Sequence, residues 1–143
     1  MEAIERLEAI EEIKQLKARY FRCMDTKAWD EMRQVFADDV HVDMADEGGG
    51  IQDTADEFMT MLRENIEDVT TVHHGHMPEI SITSPTTASG IWAMEDKLRW
   101  PEGSPIVAMH GYGHYRETYE RTSAGWRIKT LTLTRLRVDF ETA

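Results

Sequence analysis

The sequence predicts an α+β domain in which N-terminal helices pack in a strongly curved antiparallel sheet. Three observations predict it. Apolar residues over 3–67 recur mainly at helical spacing. After residue 70 the pattern turns to alternation in long runs. Turn signals at Ser84-Pro85, at Pro101 to Pro105 and at Ser123-Ala124-Gly125 cut those runs into 76–83, 87–100, 105–122 and 125–138. The length, 143 residues, suits one domain over 1–143.

In the first helix Ile13, Leu16, Tyr20 and Met24 form an amphipathic stripe, flanked by Ile10 and Cys23. The helix is expected to end near Asp25-Thr26. Asp25 or Thr26 suits as N-cap of a second helix carrying Trp29, Met32, Val35 and Phe36. DDVHVDM (38–44) reads as a short strand and DEGGG (46–50) as a turn. Ala55, Phe58, Met59 and Leu62 mark a third helix. The four later runs read as consecutive antiparallel strands. A straight strand of fourteen residues would reach about 46 Å at ~3.3 Å per residue, so the strands must bend. Gly90, Gly111 and Gly113 are the expected kinks. Such a sheet curls around the first helix and leaves a pocket.

The formal charge is −11. Residues 1–70 hold 19 acids against 8 bases, and residues 71–143 hold 8 of each. The chain lacks the basic patch that nucleic acid or an anionic membrane requires. No apolar run approaches the roughly 20 residues of a membrane span, and the charged N-terminus does not read as a signal peptide. The single cysteine, Cys23, permits no intramolecular disulfide and fits a reducing, cytoplasmic setting. Glu2, Glu5, Glu8, Glu11 and Glu12 read as the solvated face of the first helix.

Candidate site residues are those that break a pattern. On the 87–100 strand, Ala88, Gly90, Trp92, Met94, Leu98 and Trp100 share one face, and Asp96 is the one charge on it. A charge there costs several kcal/mol unless paired. A structural salt bridge, an outward-turning bulge and a functional carboxylate all fit. In the last strand Leu131 and Leu133 share a face with Arg135 and Arg137, while Leu136 and Val138 lie on the other. Either both faces are covered or a bulge lies between. Tyr20 sits mid-stripe, where most tyrosines are core residues. VHHGHM holds His73, His74 and His76, but only His74 and His76 share a strand face. No acid or cysteine spacing completes a metal site. His110 and His114 add candidates, and periodicity does not choose among the histidines. No phosphate-binding loop, nucleophile elbow or dinucleotide fingerprint occurs, so no cofactor is implied.

Four segments carry a resemblance: IKQLKARYFRCMDTKAWDEM (13–32), HHGHMPEISI (73–82), TTASGIWAMEDKL (86–98) and YERTSAGWRI (119–128). Together they resemble the SnoaL-like group of the nuclear transport factor 2-like superfamily, in its scytalone dehydratase-like branch. Within that branch they resemble the bile acid 7α-dehydratases. The likeness is weakest over 40–70. It implies a conical barrel of curved sheet around one pocket, and it implies trimers over dimers. It also selects Tyr20, Asp25, His73, Asp96 and Arg135 as the catalytic group.

What the resemblance implies is a cofactor-free lyase that removes water from a hydroxylated cyclic ketone or enone. His73 would move protons, Asp96 would orient its imidazole, and Tyr20 would donate to an enolate-like oxygen. Asp25 would be a second base or would fix Tyr20 or a water. Arg135 would close the pocket rim. Met24, Phe58, Trp92, Met94, Leu98, Leu131 and Leu133 would form apolar walls around a small apolar cyclic substrate, steroid-like or aromatic. Two other expectations use the same parts: isomerisation or aldol-type cyclisation without loss of water, and a non-catalytic small-molecule binding module.

Overall fold

The computed structural model describes residues 1–143. Helix α1 covers Ala3–Thr26 and buries Ala9, Ile13, Leu16, Lys17, Tyr20, Cys23 and Met24 along one stripe. Its glutamates at 2, 5, 8, 11 and 12 face solvent. The helix ends because Lys27 turns left-handed, at φ 61°, and the amides of Lys27 and Ala28 close back on the carbonyls of Met24 and Cys23. Asp25 and Thr26 therefore belong to the last turn of α1, and neither caps the next helix. Thr26 donates instead to the Arg22 carbonyl at 2.8 Å. Helix α2 is a short piece, Trp29–Arg33, with Ala28 at its N-cap position and no side-chain cap. Val35 and Phe36, expected on that helix, lie beyond it, and Phe36 opens strand β1 (Phe36–Met44).

A 3-10 turn at Ala45–Glu47 leads into β2 (Gly50–Gln52). Helix α3, Ala55–Ile66, is capped by Thr54, whose hydroxyl accepts from the Glu57 amide at 3.1 Å. Strands β3 (Thr70–Ser84), β4 (Thr87–Arg99), β5 (Ile106–Thr122) and β6 (Gly125–Thr142) follow. The sheet order is β2-β1-β6-β5-β4-β3. The four long strands form the expected antiparallel meander. β1 adds to that meander as a strand parallel to β6. The helical excursion returns the chain to the sheet from the opposite end. The sheet is curved and open, with β2 and β3 at its edges.

Bending falls at register shifts that only partly follow the glycines. β4 and β5 pair without a break from Thr87 to Arg99, so neither Gly90 nor Gly111 marks a bulge between them. One bulge lies between His76 and Glu79 on edge strand β3, where Pro78 needs no ladder partner. Another sets Tyr112 opposite Arg137 but Gly113 opposite Arg135. Leu136 is the extra residue and is 76% exposed. That bulge explains the change of apolar face in β6: after it, Val138 and Phe140 return to the side of Leu133 and Arg135. No helix is long and apolar enough to cross a membrane.

Candidate active site

The concave side holds a cavity of about 380 Å³. That lies within the roughly 300–1,000 Å³ typical of small-molecule sites. α1 contributes Tyr20 and Met24, and β3 and β4 contribute His73, Asp96 and Leu98. β5 and β6 contribute Met109, Tyr115, Leu133, Arg135, Val138 and Phe140. The remaining wall comes from α3 (Met61, Leu62, Asn65, Ile66) and from the 44–49 segment with Asp46 and Glu47.

Asp25 is the hinge between helix and sheet. Its carboxylate accepts from the His73 backbone amide at 2.8 Å and meets His73 Nδ1 at 2.7 Å. Thr71 donates to the same carboxylate at 3.0 Å, and Lys27 donates to Thr71 at 2.9 Å. A carboxylate can only accept, so Nδ1 carries a proton, and in the neutral ring Nε2 keeps its lone pair. His73 is 8% exposed and its ring reaches the cavity. Asp96 approaches Nε2 at 3.7 Å. This corrects the expected division of labour. Asp25 orients the imidazole, and Asp96 stands on the other side of the ring.

Asp96 is held in turn by Arg135, which donates Nη1 to Oδ1 at 2.7 Å and Nη2 to Oδ2 at 2.9 Å. Burial pushes the Asp96 carboxyl up, against the opposing charges of His73 and His110. Burial also pulls the Arg135 guanidinium down to about 10. Arg135 stays protonated at neutral pH, and its two-pronged bond opposes the upward shift of Asp96. Gly111 leaves room for this clamp: a Cβ there would lie 2.5 Å from Arg135 Nη1 and 2.6 Å from Asp96 Oδ1. Arg135 also pairs with Glu47, and its amide donates to Asp46 at 3.3 Å. Its side chain is 8% exposed, so it lies within the wall and not at the rim.

The Tyr20 hydroxyl is buried without a hydrogen-bond partner of good geometry. Burial pushes its acidity far below that of free phenol, and the adjacent Tyr115 phenol acts the other way. Tyr20 therefore remains a protonated donor. Its ring packs edge-on to Tyr115, with centroids 5.6 Å apart.

Of the expected wall residues, Met24, Leu98 and Leu133 line the cavity. Phe58, Trp92, Met94 and Leu131 do not. Phe58 packs edge-on against Phe36 in the core, and Trp92 spends its indole N–H on Tyr119 at 3.0 Å. Met94 lies behind the Asp96–Arg135 clamp, with Sδ 3.5 Å from Nη1. Leu131 is fully buried beneath the helices. Tyr115, Asn65, Glu47 and Trp100 are lining residues that sequence reasoning missed. Tyr115 carried a signal, since it alternates with Gly111 and Gly113 on one face of β5.

The other histidines lie elsewhere. His76 and His110 approach Glu95 at 3.9 and 3.4 Å, and His74 stands beside His76. No three His, Cys, Asp or Glu side chains are grouped to hold a metal. Cys23 is buried and donates to Glu31 at 3.2 Å. Burial pushes its thiol up to about 11, which suits a packed group and not a nucleophile.

Solved structures share this architecture. A protein from Novosphingobium aromaticivorans DSM 12444, assigned as a scytalone dehydratase, superposes with a TM-score of 0.88 at 20% identity, over 99% of this chain and 93% of that one. A hexachlorocyclohexane dehydrochlorinase, LinA type 2, gives 0.87 at 17% identity over 99% and 95%. A type 3 LinA from Novosphingobium barchaimii LL02 gives 0.82 at 18% identity over 98% and 94%. At these identities the likeness speaks for the fold. The profile of the SnoaL-like domain family matches residues 5–132. With the cone-like sheet, the helices across it and that match over most of the sequence, the chain belongs to the SnoaL-like domain family.

Proposed function

We propose that the protein is a cofactor-independent lyase that eliminates water from a hydroxylated cyclic ketone or enone by general acid–base catalysis. The observation that carries this reading is the Asp25–His73 pair at 2.7 Å, which leaves the opposite imidazole nitrogen facing a largely apolar cavity. His73 Nε2 takes a proton from the carbon beside the carbonyl. The electron pair moves into the carbonyl, and the Tyr20 hydroxyl donates to the oxygen that becomes enolate-like. The enolate then expels the hydroxyl, which leaves as water with the proton that His73 returns. Asp25 stabilises the imidazolium in between, and the Arg135-held carboxylate of Asp96 adds a second negative charge beside it. Similarity in fold to a protein assigned as a scytalone dehydratase and to dehydrochlorinases, which are named for another elimination, supports this class of reaction.

The apolar walls, Met24, Leu98, Leu133 and Val138 among them, favour a compact ring system. The cavity volume admits bicyclic or tricyclic compounds more readily than long chains. Mass spectrometry of a panel of β-hydroxylated cyclic ketones incubated with the protein tests the proposal. A product lighter by one water, formed by the native protein and not by His73→Ala, is expected. An isomer of unchanged mass would replace dehydration by isomerisation, and unaltered ligand across the panel would favour a binding role.

A further inference from the structure

Beneath the cavity lies a second buried polar network that the proposed reaction does not use. Lys17 and Glu117 form an ion pair of 2.5 Å, and neither side chain has any exposure. Lys17 shares the apolar stripe of α1 with Ile13 and Tyr20, and Glu117 alternates with Tyr115 and Tyr119 on the buried face of β5. Both oxygens of the carboxylate have partners. Its second oxygen accepts from the Tyr119 hydroxyl at 2.6 Å, which itself accepts from Trp92 Nε1. The ammonium has one hydrogen bond, to Glu117, and lies 3.6 Å from the ring centroids of both Tyr20 and Tyr115. Those two tyrosines line the cavity, and Lys17 does not. A buried ion pair is no more stable, as a rule, than well-packed apolar side chains in its place. Its position behind two cavity tyrosines points to a role beyond packing.

We propose that Lys17 is a positioning residue for the Tyr20–Tyr115 phenol pair, its ammonium holding both rings by their faces and strengthening Tyr20 as a hydrogen-bond donor to an oxyanion in the cavity. A cation over a ring face is attracted to the ring electrons and favours negative charge building on the phenol oxygen. The region excludes water, so the effect is weakly screened, and it works against the Glu117 charge, which makes Tyr20 less acidic. Burial lowers Lys17 to about 8 while Glu117 acts to raise it, so the ammonium persists at neutral pH. The inference rests on the reading of Tyr20 as the donor. The ligand class it implies carries an enolate-like or phenolic oxygen on an apolar ring.

Fluorescence titration with 2-naphthol and with naphthalene tests it. The double variant Lys17→Met, Glu117→Gln removes both charges and keeps an acceptor for Tyr119. It is expected to bind 2-naphthol about tenfold more weakly while naphthalene affinity stays within about twofold. Unchanged 2-naphthol affinity would overturn the proposal, and so would equal losses for both ligands, the mark of a merely structural role. Tyr20→Phe separates the two readings. If Tyr20→Phe keeps the preference for 2-naphthol, the donor assignment fails and the inference with it. If Tyr20→Phe loses the preference and the double variant keeps it, the inference alone fails. Should the double variant not fold, lysine-selective ¹⁵N NMR of the native protein decides. The Lys17 signal is expected to move on adding 2-naphthol and not naphthalene, and no movement would overturn the proposal.

Discussion

Two buried polar networks sit within one small core and differ in how completely they are satisfied. In the Lys17–Glu117–Tyr119–Trp92 network each carboxylate oxygen has a partner, and the ammonium is enclosed by one carboxylate and two aromatic faces. In the Asp25–His73–Asp96–Arg135 network the carboxylates are equally well held, yet polar atoms are left over where it meets the cavity. His73 Nε2 meets only Asp96, at 3.7 Å, and the Tyr20 hydroxyl and Arg135 Nε are unpaired. Unpaired buried polar groups cost free energy in the empty protein. They are useful only if a ligand completes them. Burial alone does not distinguish structural from chemical charges; spare hydrogen-bonding capacity at a cavity does.

The largest expected effect breaks the open network. His73→Ala is expected to lower turnover about 10²–10⁴-fold with the fold intact, read by product formation alongside a thermal melt. Next, Lys17→Met alone strands the Glu117 carboxylate in the core and is expected to cost about 3–5 kcal/mol of unfolding free energy. Adding Glu117→Gln should restore most of that loss, and urea denaturation of the three proteins measures it. A smaller effect comes from Gly111→Ala, whose methyl would intrude on the Asp96–Arg135 clamp. It is expected to cost about 1–3 kcal/mol and to lower activity as well, because Arg135 or Asp96 must shift within the clamp. The smallest falls outside both networks. Thr54→Ala removes the cap of α3 and should cost about 1 kcal/mol, with catalytic rate unchanged.

The same contrast shows what could be read from residues alone. The α1 stripe, the three turn signals and the meander are local patterns, and local patterns carry them. Asp96 was visible as a charge on an apolar face. Lys17 and Glu117 bear that same signal on α1 and β5, and it does not say whether the charge serves packing or chemistry. Asp25 reads locally as a cap, and the resemblance alone adds a second base or a partner of Tyr20 or a water. The choice depends on β3 arriving 48 residues later to present the His73 amide and ring. The division of the concave face is also tertiary. Alternation groups Trp92, Met94 and Leu98 together, yet only Leu98 reaches the cavity, because the other two lie over core and clamp. Glu47 carried no pattern at all, since a short turn among glycines gives no periodicity from which to infer a partner.

The central claim is that Asp25 fixes the His73 tautomer so that Nε2 offers a lone pair to the cavity. Histidine-selective ¹⁵N NMR of the native protein, with His73→Gln to assign the signal, reads this directly. In the neutral imidazole the account predicts a protonated Nδ1 and a bare Nε2, with that preference weakened in Asp25→Asn. A neutral His73 protonated on Nε2 would contradict it.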